Sequence, residues 1–380
     1  MFRAHGQQYR AAHPLTPEQH KVMARIEVCR TEVLGGHVDV CPDCGHQTAP
    51  SYNSCRDRHC PKCQALDQAR WIEARKKRIL PVPYFHVVFT LPGELKPLAL
   101  RNRRLIYGLL FTTASQTLQE LGRDPDRLGA LLGITAVLHT WTRDLRFHPH
   151  LHCVVTGGGL ALDGDRWVST GDKFLFPVKV ISALFRGKFI DALRRLHRRG
   201  VIDLGADDHL CPDFSKLRKT LFSKKWVVYA KRPFAGPEQV FAYLGRYTHR
   251  VAISNYRIQE VTDKAVTFAT RGEKSATLHP HEFIRRFLMH VLPKGFAKIR
   301  HYGLLASSNV KAKLPIARRL LMPDDTPHRE VAPDWQHLLE DLTGIDITRC
   351  PECGGRLCRV SLPSDPRRMS PPSRAPPRST

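Results

Sequence analysis

Two Cys-x-x-Cys pairs, Cys41-Pro-Asp-Cys44 and Cys60-Pro-Lys-Cys63, stand 15 residues apart near the start of the chain. Thiols at that spacing bend the backbone around one ion, and two such knuckles supply the four thiolates of a tetrahedral structural site. Gly45 lets the chain turn back after the first knuckle. The spacing therefore predicts Zn²⁺ on Cys41, Cys44, Cys60 and Cys63, within a small Cys-rich domain over residues 1–80. Cys29, His37, His46, Cys55 and His59 are left over, for a second ion, as replacement ligands, or as ordinary buried and surface groups. Arg56, Arg58 and Lys62 lie among the ligands and offer positive charge to phosphates. Near the other end, Cys350-Pro-Glu-Cys353-Gly-Gly has the form of half a zinc ribbon. Only Cys358 follows it, so no fourth ligand is evident.

Charge narrows the class of partner. Lys and Arg number 60 against 35 Asp and Glu, a formal net charge of +25. Self-repulsion of that size disfavours a compact state unless a polyanion offsets it, and nucleic acid is the commonest polyanion. A membrane role is not indicated. No stretch approaches the roughly 20 apolar residues needed to span a bilayer, and residues 1–15 are polar and His-rich without a signal-peptide core. The 11 cysteines are then expected in a reducing cytoplasm, where clustered thiols point to metal rather than disulfides.

Past Pro81 and Pro83 the texture changes. Residues 84–91 are rich in aromatic and β-branched side chains and read as a buried strand ended by Pro92-Gly93. An amphipathic helix is predicted over 97–121, strands over 133–141 and 151–156, and a stop at Gly157-Gly158-Gly159. A helix over 181–199, a short strand over 226–230, a helix from Pro237 to about His249, a hairpin over 258–270 and a helix over 282–291 complete the pattern. Interleaved helices and hairpin-linked strands predict an α+β fold with a largely antiparallel sheet. Residues 81–320 are expected to form that domain. Residues 321–380 are expected to be an extended tail, with the Cys350 knuckle and a disordered Pro/Ser/Arg end.

The segment His148-Pro-His150-Leu-His152-Cys153 carries the clearest chemistry. Alternate residues of a strand share a face, so the three histidines are expected together, with His150 and His152 the surer pair because Pro149 delays the strand. Imidazoles on one sheet face suit a divalent ion with open positions. His139, on the preceding strand, is a candidate third ligand if the strands pair. A second His-Pro-His, at His279 and His281, leads into a helix and reads as capping or surface. Tyr243-Leu-Gly-Arg-Tyr247 sets two tyrosines on one helix face, with Arg246, His249 and Arg250 beside them. Phenol is a poor nucleophile at its free pKa and needs a neighbouring cation. Spacing alone describes an edge of a hydrophobic core equally well.

A His-hydrophobic-His strand followed by a Tyr-x-x-x-Tyr helix resembles the HUH endonuclease superfamily. Within it the chain closely resembles the rolling-circle transposases of the insertion sequence 91 family. The likeness covers most of the chain: Leu34-Gly-Gly-His37, Tyr52-Asn-Ser-Cys55-Arg-Asp-Arg-His59-Cys60, Phe89-Thr-Leu-Pro92, His148-Pro-His150-Leu-His152, and Tyr243-Leu-Gly-Arg-Tyr247 through Asn255. The resemblance implies an HUH-type antiparallel sheet flanked by helices, preceded by a zinc-binding domain. It implies nicking of single-stranded DNA at mobile-element ends and in target DNA through a 5′-phosphotyrosine link, with Tyr243 and Tyr247 as nucleophiles. It further implies Mg²⁺ or Mn²⁺ on His150 and His152, with His139 as the candidate third ligand. Arg246, Arg250, Arg56 and Arg58 are the expected DNA contacts, and the expected location is a bacterial cytoplasm, on the nucleoid. A replication initiator or relaxase shares the chemistry but does not account for the Cys block. A non-catalytic zinc-containing DNA-binding protein leaves the His and Tyr pairs unneeded, and a hydrolase without covalent chemistry predicts no protein–DNA adduct.

Overall fold

A computed structural model describes residues 1–76, 78–171, 175–205, 213–234, 239–240, 245, 251–324 and 334–365. Its strands in chain order are β1 (Gly36–Val40), β2 (Ser51–Tyr52), β3 (Tyr84–Thr90), β4 (Ala130–Trp141), β5 (Phe147–Ala161) and β6 (Trp167–Ser169), then β7 (Val228–Phe234), β8 (Ile258–Val261), β9 (Val266–Ala269), β10 (Ser275–Leu278), β11 (Ile299–Gly303) and β12 (Cys358–Leu362). Every strand pairing among the described residues is antiparallel, as an α+β chain of this pattern should be.

Contacts gather the chain into two compact units, each made of stretches that are not consecutive. One takes Met1–Trp71, His249–Val291 and Val331–Thr380; the other takes Ile72–Thr248 and Leu292–Glu330. A division cut at residues 80 and 320 does not follow these contacts. The reason lies in the first unit, where β1 pairs along its whole length with β12, Gly36 opposite Leu362 and Val40 opposite Cys358. The segment read as an extended tail thus supplies an edge strand to the sheet β12-β1-β2. Residues 366–380, expected to be disordered, lie outside the described residues.

Local signals explain the helices of this unit. Thr16 and Gln19 form a reciprocal capping box with Pro17 at the first helical position, and the helix Pro17–Val28 buries Val22, Met23 and Ile26. His279 caps the helix Pro280–Leu288 by accepting from the His281 N–H at 3.3 Å, the capping alternative of the two expected for this pair. Phe287 of that helix meets Phe2 edge-on at 5.1 Å, and Phe283 meets Phe268 of β9 at 5.5 Å. The hairpin expected around Asp263-Lys264 is β8–β9, extended by β10 into a meander.

The second unit is built on the sheet β11-β4-β5-β3-β7, with β6 added along β5. β4 is buried over all but its last residue, which fits its near-continuous apolar sequence. The helix Arg103–Arg123 packs on β4 and β5, and the helix Val178–Arg198 packs beside it and on β7. Tyr84 is buried in β3 and accepts the Leu80 N–H at 3.0 Å. The glycine run does not end β5. The strand continues to Ala161 because close neighbours on both sides require the missing side chains: a Cβ on Gly157 would lie 2.8 Å from the Pro83 carbonyl oxygen, and one on Gly159 2.6 Å from that of Leu131.

Gly303, opposite Gly133 on the β11–β4 ladder, has a φ of +60°, and a Cβ there would overlap the Leu132 carbonyl oxygen and the Gln119 amide. Gly303→Ala is expected to destabilise by about 3 kcal/mol or more. Gly164→Ala, with a φ of +86° but open space, should cost about 1 kcal/mol. Urea midpoints of the two variants test this, and equal losses would refute the packing argument.

Candidate metal centres

The β4–β5 ladder sets His139 directly opposite His150, and Val137 opposite His152. The register shifts between His139 and Trp141, where β5 carries one residue more than β4, so Pro149 sits in a bulge that needs no N–H from it. One ring nitrogen from each of His139, His150 and His152 falls within 4.8 Å of the others. His148 is not part of this cluster; its backbone carbonyl instead accepts from His150 Nδ1 at 2.7 Å. That bond fixes the tautomer and leaves Nε2 of His150 as its donor atom towards an ion.

His152 is oriented by a residue the sequence did not single out. His86 of β3 is buried and stacks parallel to His152 at 5.1 Å, with its Nε2 2.9 Å from His152 Nδ1. When His152 Nδ1 donates to His86 Nε2, the lone pair on His152 Nε2 is the one that can coordinate an ion. The usable signal was register: His86 shares a face of β3 with Val88, the residue paired with His152. His139 is buried and lies against the Trp141 ring at 4.6 Å. Burial pulls His150 down to about 4, partly countered by its bond to the His148 carbonyl, and holds His152 well below its ordinary value. Both imidazoles are therefore neutral near pH 7, with lone pairs available, and imidazole donors fit a divalent ion whose charge stays available to an anionic ligand.

The cysteines divide differently from the expected tetrahedron. Cys41 and Cys44 do not meet Cys60 and Cys63. Cys60 and Cys63 cluster with Cys29 and Cys55, while Cys41 and Cys44 cluster with Cys350 and Cys353. The physical reason is local geometry around the second knuckle. The helix Pro17–Val28 ends at Cys29, and the Cys55 N–H donates to Cys29 Sγ at 3.4 Å. Arg25 holds the Cys55 carbonyl at 3.0 Å and Arg3 holds that of Cys29 at 3.0 Å, so both extra thiols are fixed against the knuckle. Cys55 and Cys63 are 3.8 Å apart at sulfur, close to the edge of about 3.8 Å that a Zn–S length of about 2.3 Å gives a tetrahedron. His59 is buried against Asp57 at 2.9 Å and stands outside the cluster.

Of the expected DNA contacts, Arg56 is exposed and Arg58 part-buried, with burial lowering the Arg58 pKa. Arg246 and Arg250, and the tyrosines Tyr243 and Tyr247, lie outside the described residues.

Comparison with known proteins finds matches over most of the chain. Residues 1–91 match the family model "Transposase zinc-binding domain", and residues 133–313 match the model "Putative transposase". A putative transposase, y4qJ, of Sinorhizobium fredii is 46% identical over 365 residues, covering 93% of this chain and 92% of the relative. The chain belongs to the insertion sequence 91 family of transposases. The transposase for insertion sequence element IS801 of Pseudomonas savastanoi pv. phaseolicola is 28% identical over 353 residues, 89% of this chain and 82% of that protein. No solved structure matches the chain. As a transposase it acts on DNA, which accounts for the net charge of +25. The Cys29, Cys55, Cys60 and Cys63 cluster lies within the matched zinc-binding domain and fits a structural Zn²⁺. Among the described residues no helix is long and apolar enough to cross a membrane.

The buried histidines make stability depend on pH in a set direction. His301, desolvated and near Arg75 and Arg78, is also lowered to about 4. As the pH falls below about 6.5 the unfolded chain takes up protons that folded His150 and His301 refuse until about 4. The unfolded state then binds more protons, so stability falls with falling pH across that window. Chelator-treated protein is expected to lose on the order of a few kcal/mol between pH 7 and pH 4.5 by urea unfolding. A flat profile would contradict the burial of neutral imidazoles.

Proposed function

We propose that this transposase nicks single-stranded DNA with a tyrosine, at a phosphate positioned by an ion on His139, His150 and His152. The observation carrying this reading is the cluster of three imidazoles, with His150 held in one tautomer by a backbone carbonyl and His152 oriented by a hydrogen bond to His86. A divalent ion held there would supply a Lewis acid beside the scissile phosphate. Imidazole donors suit Mn²⁺ better than Mg²⁺, whose preference is for carboxylate and water oxygens.

The chain's own groups do the rest. A phenol oxygen of Tyr243 or Tyr247 attacks phosphorus, the bond from phosphorus to the 3′ oxygen breaks, and that oxygen leaves as a hydroxyl after gaining a proton. One phosphodiester is exchanged for another, so the 5′-phosphotyrosine retains the energy needed to join a new 3′ hydroxyl. Arg246 and Arg250, next to the tyrosines in sequence, favour the phenolate and the phosphate charge. Two tyrosines allow two such exchanges, as rolling-circle transposition requires. Exposed Arg56, in the zinc-binding domain, and Arg58 supply charge for the DNA backbone.

The test uses labelled single-stranded oligonucleotides from the element's ends, incubated with the full-length protein and Mn²⁺ or Mg²⁺ and run on a denaturing gel. A labelled band migrating with the protein is expected, absent from Tyr243→Phe/Tyr247→Phe and reduced on the order of 100-fold in His150→Ala/His152→Ala. His86→Leu should raise the Mn²⁺ concentration for half-maximal adduct by roughly 10- to 100-fold, because His152 loses its orienting bond. Cleavage without an adduct would replace the covalent mechanism with hydrolysis. Adduct formation by the double Phe variant would remove both tyrosines from the reaction.

A further inference from the structure

The matched zinc-binding domain ends at residue 91, yet Cys41 and Cys44 inside it meet Cys350 and Cys353, far outside it. We propose that these four cysteines bind a second Zn²⁺, and that this ion closes the zinc-binding domain with a segment from the far end of the chain. The inference is independent of the nicking chemistry. It rests on thiol geometry, on a repeated backbone design and on the sparse core of the C-terminal segment.

The sulfur atoms of Cys41 and Cys353 are 3.5 Å apart and those of Cys44 and Cys350 are 3.7 Å apart. These separations approach the tetrahedral edge of about 3.8 Å and far exceed the disulfide length of about 2.05 Å. The two knuckles also repeat each other. Both read Cys-Pro-x-Cys-Gly, with Gly45 at a φ of +74° and Gly354 at +72°. Gly45 N–H donates to the Cys41 carbonyl at 3.0 Å, and Gly354 N–H to the Cys350 carbonyl at 2.9 Å. Cys41 N–H donates to the His46 carbonyl at 2.8 Å, and Cys350 N–H to the Gly355 carbonyl at 2.8 Å. Each knuckle is closed by a short bridge, Val40 with Gln47 and Arg349 with Arg356. Four thiolates with no histidine, carboxylate or open position make a closed structural site rather than a catalytic one.

The C-terminal segment needs such a tie. Over residues 334–365 only Leu338 and Cys350 are buried, and β12 is exposed over all but its last residue. Hydrophobic burial on that scale does not offset the entropy of ordering the segment. Beside the knuckles the segment has the β1–β12 ladder and a forked ion pair from Arg359 to Asp39, at 2.9 and 3.2 Å, with Arg359 also over the Trp335 ring. Surface pairs of this kind contribute little alone. A tetrathiolate ion is the strongest constraint available to hold β12 in register, and binding it releases thiol protons to solvent.

The decisive measurement is zinc per chain, by elemental analysis of full-length protein purified without chelator. In a His150→Ala/His152→Ala background, which removes the imidazole centre from the count, two Zn²⁺ are expected with all cysteines present, one in Cys350→Ser/Cys353→Ser and two in Cys358→Ser, whose thiol lies outside the cluster. Hydrogen exchange at Val38 and Val40 should accelerate at least tenfold in the Cys350→Ser/Cys353→Ser variant only. Should that variant fail to fold, Co²⁺ titration of metal-stripped native chain provides the same count, with thiolate-to-metal absorption rising to two equivalents. A native chain saturating at one equivalent, or a double Ser variant that retains two Zn²⁺, would overturn the proposal.

Discussion

The antiparallel ladder between β4 and β5 is the constraint on which the unit carrying the histidine centre depends. β4 is buried nearly throughout, so its backbone groups have no water to fall back on and must be satisfied by their neighbours. β5 and β11 satisfy them from either side. The apolar pattern then fixes the register, since a slip of one residue would turn every side chain to the opposite face. Register is what places His139 against His150. The bulge at Pro149 absorbs the one residue that cannot donate to the ladder, and it frees the His148 carbonyl to hold the His150 ring. The histidine centre is thus a consequence of strand pairing.

The electrostatics of the histidine centre differ from those of the chain as a whole. The sequence carries a net charge of +25, yet the imidazoles at the sheet are kept neutral by burial. Diffuse positive charge draws and holds a polyanion of any sequence. Under the proposed function, a neutral donor set would leave the full charge of a bound cation to act on one phosphate, which a carboxylate-rich site would partly cancel. Long-range attraction and local activation would then be carried by separate groups.

What the sequence reveals follows from the range of the interaction. Alternation is local, so the His150–His152 pair, the strand over residues 84–91 and the candidacy of His139 were legible. Capping is local too, and the Thr16 box and the His279 cap follow from neighbouring residues. The glycine run was misread because glycine marks either a chain stop or a close approach, and only the neighbours Pro83 and Leu131 decide between them. β11 was missed because Arg300, His301 and Tyr302 give it no strand-like alternation. The cysteine knuckles were legible one by one. Their pairing was not, because spacing describes each knuckle and tertiary contact selects its partner. Two knuckles 15 residues apart looked complete, while Cys29 waited at a helix end and Cys350 lay beyond a polar stretch.

That selection of partners has a consequence for assembly. During synthesis the helices Phe2–Ala12 and Pro17–Val28 and the Cys29, Cys55, Cys60 and Cys63 cluster are available early, since all their residues lie within the first 63. Cys41 and Cys44 then stand as a half site, and β1 lacks its β12 partner, until residues 350–362 have been made. Closing so long a loop costs only slowly more entropy than closing a short one, because the cost grows with the logarithm of length. The order of events is the stronger limit. Everything between the two knuckles, including the whole β4–β5 ladder, is synthesised before Cys350 and Cys353 arrive. The first unit is therefore completed last, and its closure reports that the chain has been made as far as β12. A truncated product lacking residues 350–362 retains its histidine strands but leaves Cys41, Cys44 and the edge of β1 unpaired, and an unpaired strand edge beside two thiols is a site for misassociation.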